Sequence, residues 1–277
     1  MIEIADTSAG EGVVSDYWLS RELSRTMIEQ MRRSDIIYRY RSAREFNFEM
    51  EMRNAIVHAA HLLNRSGASF ATFYETRGNQ QYWQVRPNGA LHLRPGAEPA
   101  AAINDVFVNG SLYAFECATA MVLILYKAIL DTIGRQAFNQ YFSNIVLWDW
   151  EYDRDLGLTW DVPREYLPGD VRYFKNPDVN PQHMEWQGEN VIDLGNGLYF
   201  GHGIGIRNAE AIIETLNRLR RPGAQRSAYL MNEAGRPNFA HLAQLSGRET
   251  VADTSSSFRE ERNRYVTVTL GNTVRLY

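Results

Sequence analysis

Residues 113–126 read YAFECATAMVLILY and hold the chain's one cysteine, Cys117, directly after a carboxylate, Glu116. The run behind the thiol is almost unbroken apolar, a pattern that predicts a buried helix. We place that helix from about Tyr113 to Ile133, ended by Gly134, a residue suited to the position after a last turn. Cys117 then lies within a turn of the helix start, where free N–H groups and the helix dipole favour negative charge. It is either a small buried hydrophobe or a nucleophile whose surroundings are built for it. Glu116 sharpens the choice: an ionised neighbour raises a thiol's pKa, so it suits proton transfer better than thiolate trapping.

The flanking segments supply the rest of the fold. SRELSRTMIEQMRRS predicts one helix, and Ser42-Ala-Arg-Glu45 opens another with capping-box spacing. That second helix carries Phe46, Met50, Val57 and Ala60 on one face and stops at Gly67. SFATFYET reads as a strand, and QYWQVR with ALHLR as a hairpin about Pro87-Asn88-Gly89. A short helix follows Pro99. IVLWDWEY predicts a strand with Trp148 and Trp150 on one face, alternating with Asp149 and Glu151. WDVPREYLPGD is expected as a loop, NVIDLG and LYFGHGI as a second hairpin about Gly195-Asn196-Gly197, and Asn208 to about Arg220 as a helix. YVTVTL-GN-TVRLY reads as a terminal hairpin behind a linker, DTSSSF.

The fold class this order implies is α+β, with the cysteine-bearing helix on an antiparallel sheet. Residues 1–14 are expected as a flexible tail, 15–234 as a catalytic domain, and 235–277 as an extension ending in the hairpin.

Composition narrows the function. A chain of 277 residues with net charge −4 gives no global reason to expect nucleic acid. One cysteine excludes an internal disulfide and any multi-thiolate metal site. The start, MIEIADTSAGEG, has no export signal, and AMVLILY is too short to span a bilayer, so the expectation is synthesis in the cytoplasm, no secretion and no membrane partner. Of 29 basic residues only Lys127 and Lys175 are lysines. Arginine-favouring codon usage accounts for that; so does chemistry that consumes primary amines.

Candidate partners for Cys117 lie in PQHMEWQGENVI, which brings Trp186, Glu189 and Asn190 to a strand's entrance, and in YFGHGIGI, which sets His202 between glycines. A helix-borne cysteine followed by polar residues on strands is the chain order of papain-like cysteine enzymes. Alone, Glu189 reads as a turn carboxylate and His202 as a hydrogen-bonded core imidazole.

Taken together, GASFATF, GNQQYWQV, YAFECATA, DTIG, RYFKNP, PQHMEWQGENVI, YFGHGIGI and QRSAYL resemble the bacterial spore-coat transglutaminases, from about Ser15 to about Glu233. The resemblance implies a compact core related to the NlpC/P60 cysteine peptidases. It places the nucleophile on Cys117, the general base on Glu189, a partly interchangeable glutamate on Glu116, and a supporting histidine on His202. Trp150, Trp186, Phe70 and Tyr173 would wall a passage to the thiol, with Asn190 also at the substrate. The implied chemistry needs no cofactor, metal or calcium. Its partners are proteins bearing glutamine and lysine, spore-coat proteins among them. Two rivals share the fold: a papain-like peptidase or amidase of cell-wall peptides, and a non-catalytic coat protein with an inert Cys117. The segment after Ser227-Ala-Tyr-Leu230 runs longer than the family pattern.

Overall fold

The computed structural model describes residues 1–5 and 14–247, and the backbone of two strands at 267–270 and 273–276. The chain divides into two compact units, Met1–Met50 with Arg248–Tyr277, and Glu51–Gly247.

In the first unit β1 (Ile2–Ile4) precedes α1 (Asp16–Leu19), α2 (Glu22–Arg33) and β2 (Tyr38–Tyr40). β1 pairs in parallel with β2, and the Met1 amine donates to the carbonyls of Met31, Ser34 and Ile36. The loose tail expected at the start therefore gives way to a strand over residues 2–4, because a cation with three acceptors fixes the end. The rest of that tail, residues 6–13, lies outside the described residues, as does the DTSSSF linker. The helix predicted over SRELSRTMIEQMRRS is present as α2; ahead of it Trp18 lies in α1 and is buried, its indole N–H donating to Asn47.

α3 (Ala43–Ser66) crosses the division between the units. Ser42 accepts from the Glu45 N–H, but the Glu45 carboxylate returns to the N–H of Arg41 and not to Ser42, a displaced form of the capping box. Gly67 follows at φ +88°, a conformation that costs other residues strain.

The second unit continues with β3 (Ser69–Phe70), β4 (Trp83–Val85), β5 (Leu91–Leu93), α4 (Pro99–Val108), β6 (Ala114–Phe115) and α5 (Cys117–Ile133). The hairpin about Pro87-Asn88-Gly89 is present, with Gly89 at φ +86°. SFATFYET is a strand only over β3; a 3₁₀ turn at Phe73–Glu75 ends it. All but four of the seventeen residues of α5 are buried, as its pattern requires. Each fully buried Leu or Ile there contributes about 1.5–3 kcal/mol.

Beyond α5 come α6 (Arg135–Tyr141), β7 (Val146–Leu147), β8 (Thr159–Asp161), β9 (Val171–Lys175), β10 (Gly188–Gly195), β11 (Leu198–Gly201), β12 (Gly205–Asn208) and α7 (Ala209–Arg218). β13 (Tyr229–Leu230), β14 (Ala234–Arg236) and α8 (Phe239–Leu245) follow. The predicted loop at 160–170 begins inside β8. The main sheet is antiparallel, in the order β12-β11-β10-β9-β14-β8, with β13 also on β9. α5 lies against β10. α7 closes the opposite face, where Ile212 and Leu216 meet Phe174 and Val191. The terminal strands β15 (Thr267–Leu270) and β16 (Thr273–Leu276) pair antiparallel, as read from the sequence.

β14 and α8 are absent from the sequence reading. A buried ion cluster fixes the first. Arg236 donates two bonds to Asp170, which also receives Arg53, itself only 1% exposed. Burial pushes the Asp170 carboxyl up, and the two guanidinium groups more than offset it.

Candidate active site

α5 begins four residues later than its pattern predicts. Tyr113 ends a 3₁₀ turn, Ala114 and Phe115 pair in β6, and the helix opens at Cys117. The cause is Glu116, whose backbone is extended (φ −85°, ψ 174°). Its carboxylate accepts from the N–H groups of Ala118 (2.5 Å) and Thr119 (2.7 Å). Glu116 is therefore the N-cap, satisfying two amides that the first turn leaves free. The sequence reading gave Glu116 only a proton-transfer role; its capping role follows from the exact helix start.

Cys117 keeps part of its surface open on the wall of a cavity of about 880 Å³. Asn190 on β10 donates from Nδ2 to its sulfur at 3.3 Å. β10 pairs Asn190 with Tyr173, so amide and phenol share one sheet face beside the thiol. Burial pushes the thiol pKa up strongly, and the charges of Glu189 and then Glu116 push the same way, against the pull of Asn190. Burial also raises Tyr173, to about 12, with Cys117 and Glu189 adding to it.

Glu189 is fully buried, and among the described residues neither carboxylate oxygen has a hydrogen-bond partner of good geometry, the nearest donor being the His202 backbone. Burial, then the charge of Glu116, drives its pKa well above the usual carboxylate range; the backbone of His202 opposes weakly. Glu116 is raised by burial too, and by Asp149, against the pull of its own caps. Thiol and both carboxyls thus all favour holding protons. Such groups titrate as a set. A carboxyl whose pKa is raised by burial beside a latent nucleophile is suited to moving protons.

His202 sits differently. Its Nε2 lies 3.1 Å from the Ser69 carbonyl, and its ring stacks on Phe115 at 4.7 Å. Burial lowers its pKa to about 4, against those backbone carbonyls, so near pH 7 the ring is neutral and donates to Ser69. It does not line the cavity.

Phe70, Trp150 and Tyr173 do line it, beside Glu116, Cys117 and Asn190. Trp186 does not; it stacks on Phe70 at 5.1 Å from behind. The strand expected through IVLWDWEY stops at Leu147, because Asp149 takes a left-handed conformation (φ 51°) within a turn closed by Glu151 N–H and the Trp148 carbonyl. The two indoles therefore do not share a strand face. Trp148 packs on Phe73, whereas Trp150 meets Trp160 edge-on at 5.1 Å.

The sequence reading missed Asp149, Glu185 and Glu233 as lining residues, together with Trp160, Met184 and Met231. Glu185 falls inside a quoted block, and its proximity to Trp186 was a usable signal. Glu233 and Met231 arrive by the fold of β13 and β14 and carry no local signal. With Glu116, these make four carboxylates on the wall and no lysine, arginine or histidine. Such a cavity favours a cation over an anion.

Among the described residues, no group of three or more His, Cys, Asp or Glu is placed to hold a metal ion. No helix there is long and apolar enough to cross a membrane.

The family described as protein-glutamine gamma-glutamyltransferase matches residues 1–246. A protein-glutamine gamma-glutamyltransferase of Bacillus pumilus is 43% identical over 242 residues, covering 86% of this chain and 98% of that protein. Its counterpart in Bacillus licheniformis is 49% identical over 208 residues, covering 75% and 84%. A solved transglutaminase from Geobacillus stearothermophilus, without its C-terminal extension, superposes with a TM-score of 0.72 at 48% identity, covering 75% of this chain and all of that one.

Proposed function

Because the chain belongs to the protein-glutamine gamma-glutamyltransferase family, we propose that Cys117 carries the acyl group between a protein glutamine and a lysine amine, with Glu189 as the group that moves protons. The observation that carries this is the one thiol on the cavity wall, touched by Asn190 and raised in pKa by burial and then by the charge of the buried Glu189.

The glutamine side chain enters with its γ-carboxamide against the sulfur. As Sγ attacks, its proton passes to the carboxylate, and the Asn190 amide is placed to stabilise the oxyanion. The carboxyl returns the proton to the leaving nitrogen and ammonia departs, leaving a thioester. A lysine Nζ then attacks that thioester, its proton passes to the carboxylate, the C–S bond breaks, and an isopeptide bond remains. Each placed proton transfer contributes about 10²–10⁴-fold.

Glu116 shares in this only in part, since its oxygens hold two backbone amides. His202, neutral and bonded to Ser69, positions Phe115 and the β3–β6 pair and takes no proton. Phe70, Trp150 and Tyr173 exclude water, which favours aminolysis over hydrolysis, and Trp186 supports Phe70. Asp149 and Glu233 draw the cationic acceptor inward. The substrates are protein-bound glutamine and lysine. Assembly into a spore coat rests on the sequence resemblance alone.

The test is incorporation of a labelled primary amine into a glutamine-bearing protein by wild type beside Cys117→Ala. Label in the wild-type product only, with cross-linked species of high mass, supports transfer. Acid product without label identifies a hydrolase, and no product with a thiol inert to iodoacetamide identifies a scaffold.

A further inference from the structure

The chain holds three kinds of primary amine, and the structure treats them unequally. The Met1 amine donates to three backbone carbonyls, at 2.8, 3.2 and 2.8 Å. Lys127 is 12% exposed, donates to both carboxylate oxygens of Asp131, and lies over the Phe107 ring. Lys175 is exposed, and no hydrogen bond or ion pair among the described residues engages its ammonium.

Its position is specific. Lys175 ends β9, two residues from Tyr173, so both side chains leave the same sheet face, roughly 7 Å apart along the strand. Tyr173 is paired with Asn190, the residue that touches the Cys117 sulfur. Lys175 is paired with Gly188, which lines the cavity. The Tyr173 hydroxyl occupies the space over Gly188, where a Cβ would come within 2.1 Å of it. The exposed amine of this nearly lysine-less chain therefore belongs to a residue two rungs along the sheet from the Tyr173–Asn190 pair that reaches the acyl-carrying sulfur, on the same face, and its cross-strand partner lines a cavity that favours cations.

We propose that Lys175 is a built-in acceptor: the thioester on Cys117 is passed to Lys175 of the same molecule, and the enzyme becomes joined to the protein it is processing. This rests on the acyl-transfer reading above. Nζ of Lys175 attacks the thioester carbon, the C–S bond breaks as the C–N bond forms, and the Nζ proton returns through the carboxylate to the sulfur. The product is an isopeptide between the donor glutamine and Lys175, and the thiol is regenerated. No further reagent is needed.

The experiment uses the full chain and an N-acetylated, biotinylated peptide with one glutamine and no amine. Without added amine, the enzyme should gain the peptide less ammonia, located at Lys175 by peptide mapping, with Lys127 and Met1 unmodified. The half-time should not change on tenfold dilution of the enzyme, as transfer within one molecule requires. Lys175→Arg should lose the adduct while incorporating a small labelled amine into the peptide at the wild-type rate. Label spread over Lys127 or Met1, an adduct that survives in Lys175→Arg, a half-time that lengthens on dilution, or amine incorporation without any adduct overturns the proposal. Failure of amine incorporation in wild type overturns instead the transferase reading beneath it.

Discussion

Asn190 donates its side-chain amide to the sulfur of Cys117 across 3.3 Å, tying β10 to the first residue of α5. Of the influences on the thiol, burial and two carboxylates raise its pKa, and Asn190 opposes them. Removing the amide should therefore make the sulfur harder to ionise. Hydrogen bonds to charged groups contribute about 1.5–3 kcal/mol, so Asn190→Ala should lower kcat/KM about ten- to a hundredfold. Alkylation by iodoacetamide should also shift to higher pH. An unshifted alkylation profile would show that the contact is only structural.

Glu189 and Cys117 should separate from Glu116 in kinetics. Cys117→Ala should abolish transfer and Glu189→Ala should reduce it severely, while Glu116→Ala should be milder. Wild-type turnover in Glu189→Ala would falsify its assignment as the base.

The same carboxyl has a consequence for stability. Its pKa is raised in the folded chain above the ordinary 4.5, so the folded state binds that proton more tightly than the unfolded state. Stability is then lost as pH climbs above about 4.5 towards the folded value. Glu189→Gln cannot ionise, so its unfolding free energy should fall less steeply with pH. Urea titrations between pH 5 and 8 measure both slopes, and parallel curves would mean that the carboxyl titrates alike in both states.

Glu116 should show its capping role in thermal melts. Glu116→Ala loses both bonds to Ala118 and Thr119 and should cost about 0.5–2 kcal/mol. Glu116→Gln keeps an acceptor oxygen and should cost less. Equal melting points for the two variants would remove the cap from the account.

Gly201 guards the position of Glu189. A Cβ there would meet the Glu189 Oε1 at 2.7 Å, so Gly201→Ala must move the carboxyl. A displacement near 1 Å costs on the order of 10²-fold in rate. The expected result is a fall in kcat with little change in the KM for a small amine.

Arg53→Ala should be the most destabilising change of this set. It leaves Asp170, fully buried, with Arg236 as its remaining ion-pair partner. Breaking a buried pair from one side costs about 3–5 kcal/mol. The denaturation midpoint should drop with the urea slope unchanged.

Much of this protein is written locally. The buried α5 follows from an apolar run with no polar face, the hairpins from Asn-Gly turns between strand-forming runs, and Gly67 and Gly134 from the need to end helices. The motif blocks around Cys117 and Glu189 carry the family with them. Other features depend on groups distant in sequence. Asp149 takes a left-handed turn where alternation predicts a strand, which sends Trp148 to Phe73 and Trp150 to Trp160. Met231 and Glu233 reach the cavity because β14 is anchored through Arg236 to Asp170, sixty-six residues earlier.

The sequence by itself determined the long helices α3 and α5, the hairpins and the family, because periodicity, caps and turn chemistry act between residues a few positions apart. Only the tertiary structure decided that Glu116 caps α5, that His202 faces a backbone carbonyl, that the cavity is acidic and that Lys175 pairs with Gly188 of its wall. Those outcomes come from burial and from electrostatic contact between strands and loops far apart along the chain, and no local pattern encodes either.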